Sequence, residues 1–374
     1  MPALLKTTQI QEPSSATVNL TLDTLGNASF AGMPYGASSF LRNRIINGDM
    51  RIDQRNAGAS VTPTSAQYSV DRWKFFVAQA SKLTTQQNAG SVTPPTGFTN
   101  YLGITSSSAY SVLTGDYFTL DQSIEGYNTS DLGWGASGAL SVTISFWVRS
   151  SLTGTFSGGV YNSAANRSYV FTYTISSANT WTYITTTISG DTTGAWLTTN
   201  GIGIGLRFNL GGGSTYQTTA GSWQAGNYFA TSSSVNVVGT NGATFYITGV
   251  QLEVGSVATP FERRQYGQEL ALCQRYYYTS SQGGSGNSGS GFFGYSTDTS
   301  NVYGIASFPV TMRTSPTITL YDDSNTSGTL TFPGVSNGIA ATAARITPSG
   351  FNQCTGTFTA SRAATGRYLA SAEL

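Results

Sequence analysis

The chain has 374 residues, of which 9% are charged, and its formal net charge is +1. This charge excludes a strong field toward nucleic acid or an anionic membrane. Aromatic residues make up 12% of the chain, which excludes a disordered chain because enough apolar surface is available to bury. The absence of histidine excludes Ser-His-Asp and Cys-His catalysis and histidine-ligated zinc. The length indicates two or three domains.

Two cysteines, Cys273 and Cys354, are too few for a disulfide framework or a four-cysteine metal site. We expect both to be buried free thiols, because a free cysteine behaves as a small apolar side chain. The run Asp322-Asp323-Ser324-Asn325 lacks the spacing of a calcium loop and predicts a polar turn instead. The sequence therefore predicts neither a metal nor a cofactor.

No apolar run reaches the ~20 residues that a membrane-spanning helix needs. The first residues also lack the basic-then-apolar order of a signal peptide. We therefore expect synthesis and folding in a cytoplasm, without membrane insertion.

Residues 1–40 are predicted to form a separate piece. Alternation from Val18 to Leu22, a turn over residues 23–27 and the run 28–30 indicate a short hairpin. Because such a hairpin is too small to hold a core, it needs a partner. The glycine-containing stretch 32–36 is interpreted as a hinge after it.

Basic residues then cluster between residues 42 and 82, with acidic residues interleaved. The basic residues are Arg42, Arg44, Arg51, Arg55, Arg72, Lys74 and Lys82, and the acidic ones are Asp49, Asp53 and Asp71. The interleaved signs favour ion pairs or an interface over a nucleic-acid patch.

Residues 41–262 carry the period of a β-sandwich. In the stretch Leu140–Arg149, apolar side chains occupy every second position, which places them on one face of a strand. The stretches Tyr169–Ile175 and Ile202–Leu210 repeat this pattern. In Thr244–Val254 the apolar phase changes beside Gly249, as a β-bulge produces. Strands with one apolar face, separated by Gly/Ser/Thr/Asn turns, predict two antiparallel sheets packed face to face.

The period changes after Glu262, and residues 263–279 are predicted to form a connecting helix. Tyr266, Leu270, Cys273 and Tyr277 have the spacing of a coiled-coil seam, which indicates a trimer contact. A single amphipathic helix that covers the sandwich explains the same spacing. A Gly/Ser-rich loop follows over residues 280–291, and residues 292–374 again show short strands, which predict a small C-terminal β domain.

Several stretches resemble tail-fibre and related virion proteins of bacteriophages. They are Asn43–Met50 with Gln54-Arg55, Tyr68–Trp73, Phe146–Ser151, Tyr173–Trp181, Gly190–Trp196, Thr240–Gly255, Thr259–Glu262, Tyr266–Tyr276 and Ala370–Leu374. The string from Gln251 to Tyr276 is the most specific. One departure is Asp53, where similar proteins usually place an aromatic residue before Gln-Arg.

The resemblance implies an all-β chain: a carbohydrate-binding-module-like jelly-roll sandwich (41–262), an N-terminal virion attachment segment (1–40), a short helix and a small C-terminal β domain (292–374). It also implies a homotrimeric tail or head fibre that binds other virion proteins through residues 1–40 and a host-surface glycan through the sandwich. No catalytic set is carried over from the family.

Sugar binding uses flat aromatic rings for stacking, together with amides and carboxylates for the hydroxyls. Aromatic residues in glycine-rich, loop-like settings are therefore the glycan-binding candidates: Trp134, Tyr161, Trp196, Tyr216 and Trp223. For any single one of these residues, packing against a neighbouring loop or subunit is the favoured alternative.

Two other functions are weighed against a non-enzymatic attachment protein. A glycan-degrading fibre needs a carboxylate pair, for which Asp116, Asp121, Glu125, Asp131 and Asp191 are candidates without a defining spacing. A purely structural head-fibre or decoration protein needs no ligand site.

Overall fold

The structure is a computed structural model that describes residues 42–281 and 291–374, together with the backbone of three short strands nearer the start. These strands, β1 (Gln9–Ile10), β2 (Leu20–Leu22) and β3 (Ala28–Phe30), form an antiparallel sheet in the order β1-β2-β3. Leu20 pairs with Phe30, so the predicted hairpin is confirmed at the level of the backbone. The predicted hinge at 32–36 lies outside the described residues, as does the Gly/Ser run from 282 to 290.

The next part of the chain folds into two antiparallel sheets. The strands are β4 (Gln67–Tyr68), β5 (Lys74–Val77), β6 (Leu83–Gln87), β7 (Leu102–Ser106), β8 (Tyr117–Glu125), β9 (Val142–Ser150), β10 (Gly154–Tyr161), β11 (Arg167–Ile175), β12 (Thr182–Ile188), β13 (Ile202–Gly212), β14 (Trp223–Ala225) and β15 (Thr244–Val254). A seven-stranded sheet has the order β14-β11-β10-β13-β8-β5-β4, and a five-stranded sheet has the order β12-β9-β15-β7-β6. Short 3-10 turns occur at Ala89–Ser91, Gly126–Asn128, Ser130–Leu132, Ser214–Tyr216 and Val237–Gly239.

The core lies between these two sheets, as the alternating pattern predicts. Val142, Ile144, Phe146 and Val148 of β9 are completely buried. The Phe146 ring meets Phe208 of the opposite sheet edge to face, with centroids 5.0 Å apart. Leu140, predicted to open this strand, is 44% exposed, because β9 begins at Val142. The predicted all-β sandwich is therefore present, with its core between the two sheets.

The predicted bulge in β15 is confirmed. Its register against β9 shifts between Thr248 and Gln251, and Gly249 has a φ of 63°. Phe245 and Ile247 face the core before the bulge, and Val250 and Leu252 face it afterwards. Glycine adopts this left-handed backbone without the strain that a side chain brings.

The connecting helix α1 spans Tyr266–Gln274 and is followed directly by strand β16 (Tyr277–Thr279). Cys273 is fully buried against Ile46, Ile52 and Tyr276 of the same chain. Tyr277, predicted to share a helical seam with Tyr266, Leu270 and Cys273, lies instead in β16 and is 5% exposed. The prediction of a helical seam is wrong for Cys273 and Tyr277, because both side chains are buried within the same chain. The geometry favours the helix that covers the sandwich.

The C-terminal strands form a small barrel. They are β17 (Phe292–Ser296), β18 (Asn301–Ser307), β19 (Thr317–Tyr321), β20 (Thr329–Phe332), β21 (Ser336–Ala344), β22 (Gly350–Gly356) and β23 (Arg362–Ser371). The order β23-β17-β18-β22-β21-β20 closes on itself because β20 also pairs with β23. The second half of β23 pairs with β16 and β19. Phe292, Phe351 and Tyr368 fill the barrel core.

Buried ion pairs join the barrel to the sandwich. Glu373, just after β23, accepts hydrogen bonds from Arg55 (Nη2 to Oε1, 2.5 Å) and from Arg72. A third, partly exposed pair joins the end of α1 to the sandwich, where Arg275 donates twice to Glu125 at the end of β8, over 3.0 and 2.7 Å. These basic residues therefore form ion pairs within the chain. Asp53, the departure from the family pattern, accepts the backbone N–H groups of Arg55, Asn56 and Gly58 in a tight turn.

Both cysteines are free and buried, as predicted, and burial raises the pKa of the Cys354 thiol to about 12. Asp322 accepts the backbone N–H groups of Ser324 and Thr326 (2.9 and 2.8 Å), so the acidic run forms a polar turn. Within the described ranges, no helix is long and apolar enough to span a membrane.

Candidate functional site

A groove of about 280 Å³ lies on the outer face of the seven-stranded sheet. Three neighbouring strands supply its floor, since alternate residues of β5, β8 and β13 point away from the core. We call it the Arg207 groove, and it is lined by Phe76, Tyr117, Thr119, Arg207, Tyr216, Asn227 and Phe229.

Charged residues of adjacent strands form a row at the floor of the Arg207 groove. Lys74 of β5 and Arg207 of β13 each pair in register with Asp121 of β8. Arg207 Nε donates to Asp121 Oδ2 over 2.7 Å, and Tyr161 Oη donates to the same oxygen over 3.0 Å. Arg207 also donates to Asn227 Oδ1 over 2.8 Å. The guanidinium is thus held in one orientation at the edge of the groove.

Burial and ion pairing shift the pKa of Arg207 in opposite directions. Burial acts to lower the pKa of Arg207, but the charge interactions and hydrogen bonds with Asp121 and Tyr161 together outweigh it and raise this pKa above the ordinary value. Burial, reinforced by the Asp121 carboxylate, raises the pKa of Tyr161 far above its usual range. Burial lowers the pKa of Lys74. Asp121 and Arg207 therefore form an ion pair in contact with a neutral phenol.

The walls of the Arg207 groove are aromatic. Tyr216 stacks on Phe229 with ring centroids 5.2 Å apart, and Tyr117 meets Tyr216 edge to face at 5.7 Å. Phe229 reaches the sheet because Gly159 and Gly212 leave space. A Cβ at Gly159 would lie 3.2 Å from Phe229 Cα, and one at Gly212 would lie 2.8 Å from its ring. The two glycines thus allow the loop that carries this wall to lie on the strands.

Two buried polar atoms at the floor have no hydrogen-bond partner within the described part of the chain. They are Thr119 Oγ1, which lines the Arg207 groove, and Asp121 Oδ1 beside it. Buried polar atoms are normally satisfied. Neither oxygen reaches the surface, so the polar groups that the groove offers between its flat rings are the Arg207 guanidinium and the Asn227 amide, which suit sugar hydroxyls.

The structure brings two of the five glycan-binding candidates to this groove. Tyr216 forms part of its wall, and Tyr161 lies beneath its floor with its hydroxyl bonded to Asp121. The other residues of the groove were not predicted from the sequence: Phe76, Tyr117, Thr119, Arg207, Asn227 and Phe229. One signal was present: Arg207 sits in the middle of an apolar strand, on its polar phase.

The other three candidates form a tryptophan cluster elsewhere on the sandwich. Trp134, Trp196 and Trp223 meet edge to face with ring centroids 4.7 to 5.3 Å apart. Each indole N–H donates inside the chain, to Leu140 O, Asp191 Oδ2 and Ser189 O respectively. Trp134 is only 9% exposed and belongs to the core. The expectation that Trp134 is an exposed loop side chain is therefore wrong, whereas Trp196 and Trp223 stay partly accessible.

Asp191 fixes this cluster. Its carboxylate accepts two hydrogen bonds from Arg167, over 2.9 and 2.7 Å, and one from Trp196. Burial acts to raise the pKa of Asp191, but these hydrogen bonds outweigh it and hold the pKa below its ordinary value. The tryptophan cluster thus forms part of the packing of the sandwich.

The five carboxylates considered for catalysis all have structural partners. Asp121 pairs with Arg207, Glu125 with Arg275, Asp131 with Arg44 and Asp191 with Arg167, while Asp116 accepts from Tyr110 Oη over 2.6 Å. Glycosidic cleavage needs one carboxyl group beside another across the scissile bond. Each of the five carboxylates contacts a different partner.

No family model matches the chain, and no curated protein matches it either. Among solved structures, the enzymatically active domain of tailspike protein 4 of bacteriophage CBA120 is 12% identical, with a TM-score of 0.30. That match covers 57% of this chain and only 22% of the tailspike chain.

Two carbohydrate-binding modules are also similar. TmCBM61, in complex with β-1,4-galactotriose, is 12% identical with a TM-score of 0.30, and the match covers 57% of this chain and 99% of the module. The family 11 module of Clostridium thermocellum, in complex with a β-1,3-1,4-mixed-linked tetrasaccharide, is 12% identical with a TM-score of 0.27. That match covers 54% and 98% of the two chains. Similarities at these TM-scores identify neither a family nor a ligand.

Proposed function

We propose that this chain is a non-enzymatic virion-fibre protein that attaches a phage to a glycan on the host surface. The Arg207 groove carries the proposal, because it combines aromatic walls with an oriented guanidinium and an amide. Aromatic faces cover the apolar faces of a sugar ring, and the polar groups select its hydroxyls. The virion assignment rests on the sequence motifs that resemble phage fibres.

Attachment in this proposal depends on several copies. A groove of this size holds one or two sugar units, so a single contact is weak, and linked copies raise the overall affinity. We assign a homotrimer, with residues 1–40 binding other virion proteins.

An exposed apolar patch on the barrel supports this assembly. In the paired strands β17 and β18, Phe293 lies opposite Ile305 and Tyr295 opposite Tyr303. Phe293 is 66% exposed and Ile305 78% exposed. Exposed apolar patches of this kind mark interaction surfaces, and we assign this one to contacts between copies of the chain.

The test compares groove variants with a surface control on an array of bacterial surface polysaccharides. Tyr216→Ala and Asn227→Ala should lose binding, whereas Tyr127→Ala, which removes a 60% exposed ring outside the groove, should retain it. Thermal melting of the same samples checks that each variant is folded. Equal binding by all three variants would refute the site.

The same samples separate the two competing functions. New reducing ends after incubation with a bound polysaccharide would identify a glycan-degrading fibre. No binding to any polysaccharide on the array would favour a purely structural head-fibre or decoration protein.

A further inference from the structure

The outer face of the five-stranded sheet holds a second, larger groove of about 460 Å³. It lies on the opposite side of the core from the Arg207 groove. We call it the Arg263 groove, and its principal residues are Phe98, Trp147, Tyr183, Gly249, Phe261 and Arg263.

One wall of the Arg263 groove comes from neighbouring strands. Trp147 of β9 lies directly opposite Tyr183 of β12, and their ring centroids are 5.2 Å apart. Tyr183 is 42% exposed, so its ring is accessible from solvent. Two adjacent rings with accessible area form a platform on which a sugar ring can stack.

The bulge at Gly249 shapes the floor. A Cβ at this position would lie 2.7 Å from the Phe98 ring and 3.3 Å from the Trp147 ring. Any side chain here would therefore fill the space between the two walls. Glycine at the bulge keeps the Arg263 groove open down to the backbone of β15.

The opposite wall is held in place before any ligand binds. Phe98 meets Phe261 edge to face at 5.2 Å, and the Arg263 guanidinium lies over the Phe98 ring at 4.6 Å. The segment that carries Phe261 is anchored to β15, because Thr259 donates its backbone N–H and its hydroxyl to Glu253 over 2.8 and 2.6 Å. A pre-organised wall loses little entropy on binding.

In the described part of the chain, Arg263 has no direct ion-pair partner at this surface. Within residues 42–281 and 291–374, Arg263 forms no ion pair within 4.0 Å, and neither does Arg149 on the same sheet face. Arg149 donates a hydrogen bond to the Asn179 carbonyl over 2.9 Å and lies over the Tyr246 ring. Glu253, the nearby acid, is 1% exposed and bonded to Thr259. Among the described residues, Arg263 is thus a cation in the groove with an aromatic contact and no ion pair within 4.0 Å, and Asp49, which is paired with Arg51, attracts it only from a longer distance.

We propose that the Arg263 groove is a second glycan-binding site, specific for a sugar that carries a carboxylate. The sugar ring stacks on Trp147 and Tyr183, and its carboxylate pairs with the planar guanidinium of Arg263. A neutral sugar leaves this cation without a direct ion pair. This extends the proposed glycan-binding function, but each groove stands without the other.

The test is isothermal titration of the full chain with three acidic probes and one neutral probe. The acidic probes are a galacturonate tetrasaccharide, a hyaluronan tetrasaccharide and a sialic-acid tetramer, and the neutral probe is the methyl ester of the galacturonate tetrasaccharide. At least one acidic probe should bind. Arg263→Gln and Tyr183→Ala should each weaken that binding about ten- to hundredfold, because a charge-assisted contact or a stacked ring is lost.

Two matched controls make the result specific. Arg149→Gln removes an arginine from the same sheet face but outside the groove, and Asn227→Ala alters only the Arg207 groove. Both should keep the affinity of the unmodified chain. If the galacturonate tetrasaccharide is the probe that binds, its methyl ester should bind at least tenfold more weakly.

Three results overturn the proposal: no acidic probe binds, Arg263→Gln binds as well as the unmodified chain, or the galacturonate tetrasaccharide binds no better than its ester. A Tyr183→Ala variant that changes the oligomeric mass would identify the Arg263 groove as a subunit contact and also overturn it. If Tyr216→Ala and Asn227→Ala abolish binding while the Arg263 groove variants do not, the proposed function survives and this inference fails.

Discussion

Replacing Glu373 by glutamine should destabilise the junction between sandwich and barrel. Glutamine keeps the shape of the side chain but removes the charge that faces Arg55 and Arg72. The Arg72 side chain is 1% exposed, so it would remain as a buried cation without its carboxylate. Removing one partner of a buried ion pair costs about 3–5 kcal/mol.

The remaining contacts place the expected loss at the lower end of this range, about 3 kcal/mol. Arg55 keeps a second carboxylate, Asp71, at 3.9 Å. Arg72 keeps a hydrogen bond to Ser123 O (2.6 Å) and lies 3.6 Å from the centre of the Tyr276 ring. A loss of this size should lower the melting temperature by about 6–12 °C in a domain of this length.

Asp131→Asn is the matched control for this measurement. It makes the same acid-to-amide change in an ion pair, in which Arg44 Nη2 lies 2.6 Å from Asp131 Oδ2. The Asp131 side chain, however, is 51% exposed. Exposed pairs contribute about 0–1 kcal/mol. Urea unfolding of both variants decides the question: a loss in Glu373→Gln within about 1 kcal/mol of the control would refute the reasoning. Adding Arg72→Met to Glu373→Gln should recover part of the lost stability, because it removes the unpaired cation.

Three further predictions follow from the fold. Trp134→Ala should cost about 3–5 kcal/mol because the ring belongs to the core, while Leu113→Ala, at a 62% exposed side chain, should change urea stability by less than about 0.5 kcal/mol. Burial raises the pKa of Asp71 to about 7 from an ordinary 3.8, so the folded state holds this proton more tightly. Its stabilising contribution is therefore full below pH 3.8 and lost as the pH rises through about 7. Asp71→Asn should flatten this part of the stability profile, and an unchanged profile contradicts the assignment. Ile305→Asp should reduce a trimeric mass in native mass spectrometry, whereas a stable monomer for the unmodified chain at micromolar concentration would refute the trimer.

The alternation of apolar residues was sufficient to predict the sandwich, because a half-buried strand has a period of two whatever its partner. The phase change at Gly249 likewise identified the bulge from local sequence. The helix end was mispredicted, since Tyr277 continues the heptad spacing but pairs in β16 with β23, about ninety residues later. A contact so distant along the chain leaves no mark on local periodicity.

The binding grooves were less predictable for a related reason. Trp134 and Tyr183 are both aromatic residues near turns or on strands, yet one is buried and the other exposed. Their exposure depends on which loops lie over each sheet. Arg207 and Asp121 become a pair only because β8 and β13 are neighbours in the seven-stranded sheet. The sequence contains both residues but not the adjacency of their strands.

The two connections between barrel and sandwich have a mechanical consequence. The chain enters the barrel through β16, directly after α1, and returns through β23 to Ala372 and Glu373, which Arg313, Arg55 and Arg72 hold. Tension on the barrel is therefore shared by two chain paths that lie side by side, since Tyr277 pairs with Ser371. One path is covalent throughout, and the other depends on ion pairs. Breaking the ion pairs would leave the second path held only by hydrogen bonds, such as those from Tyr68 to Leu374 O and from Arg313 to Asn200 O. The stiffness of the molecule under load should therefore fall with the charge of one carboxylate.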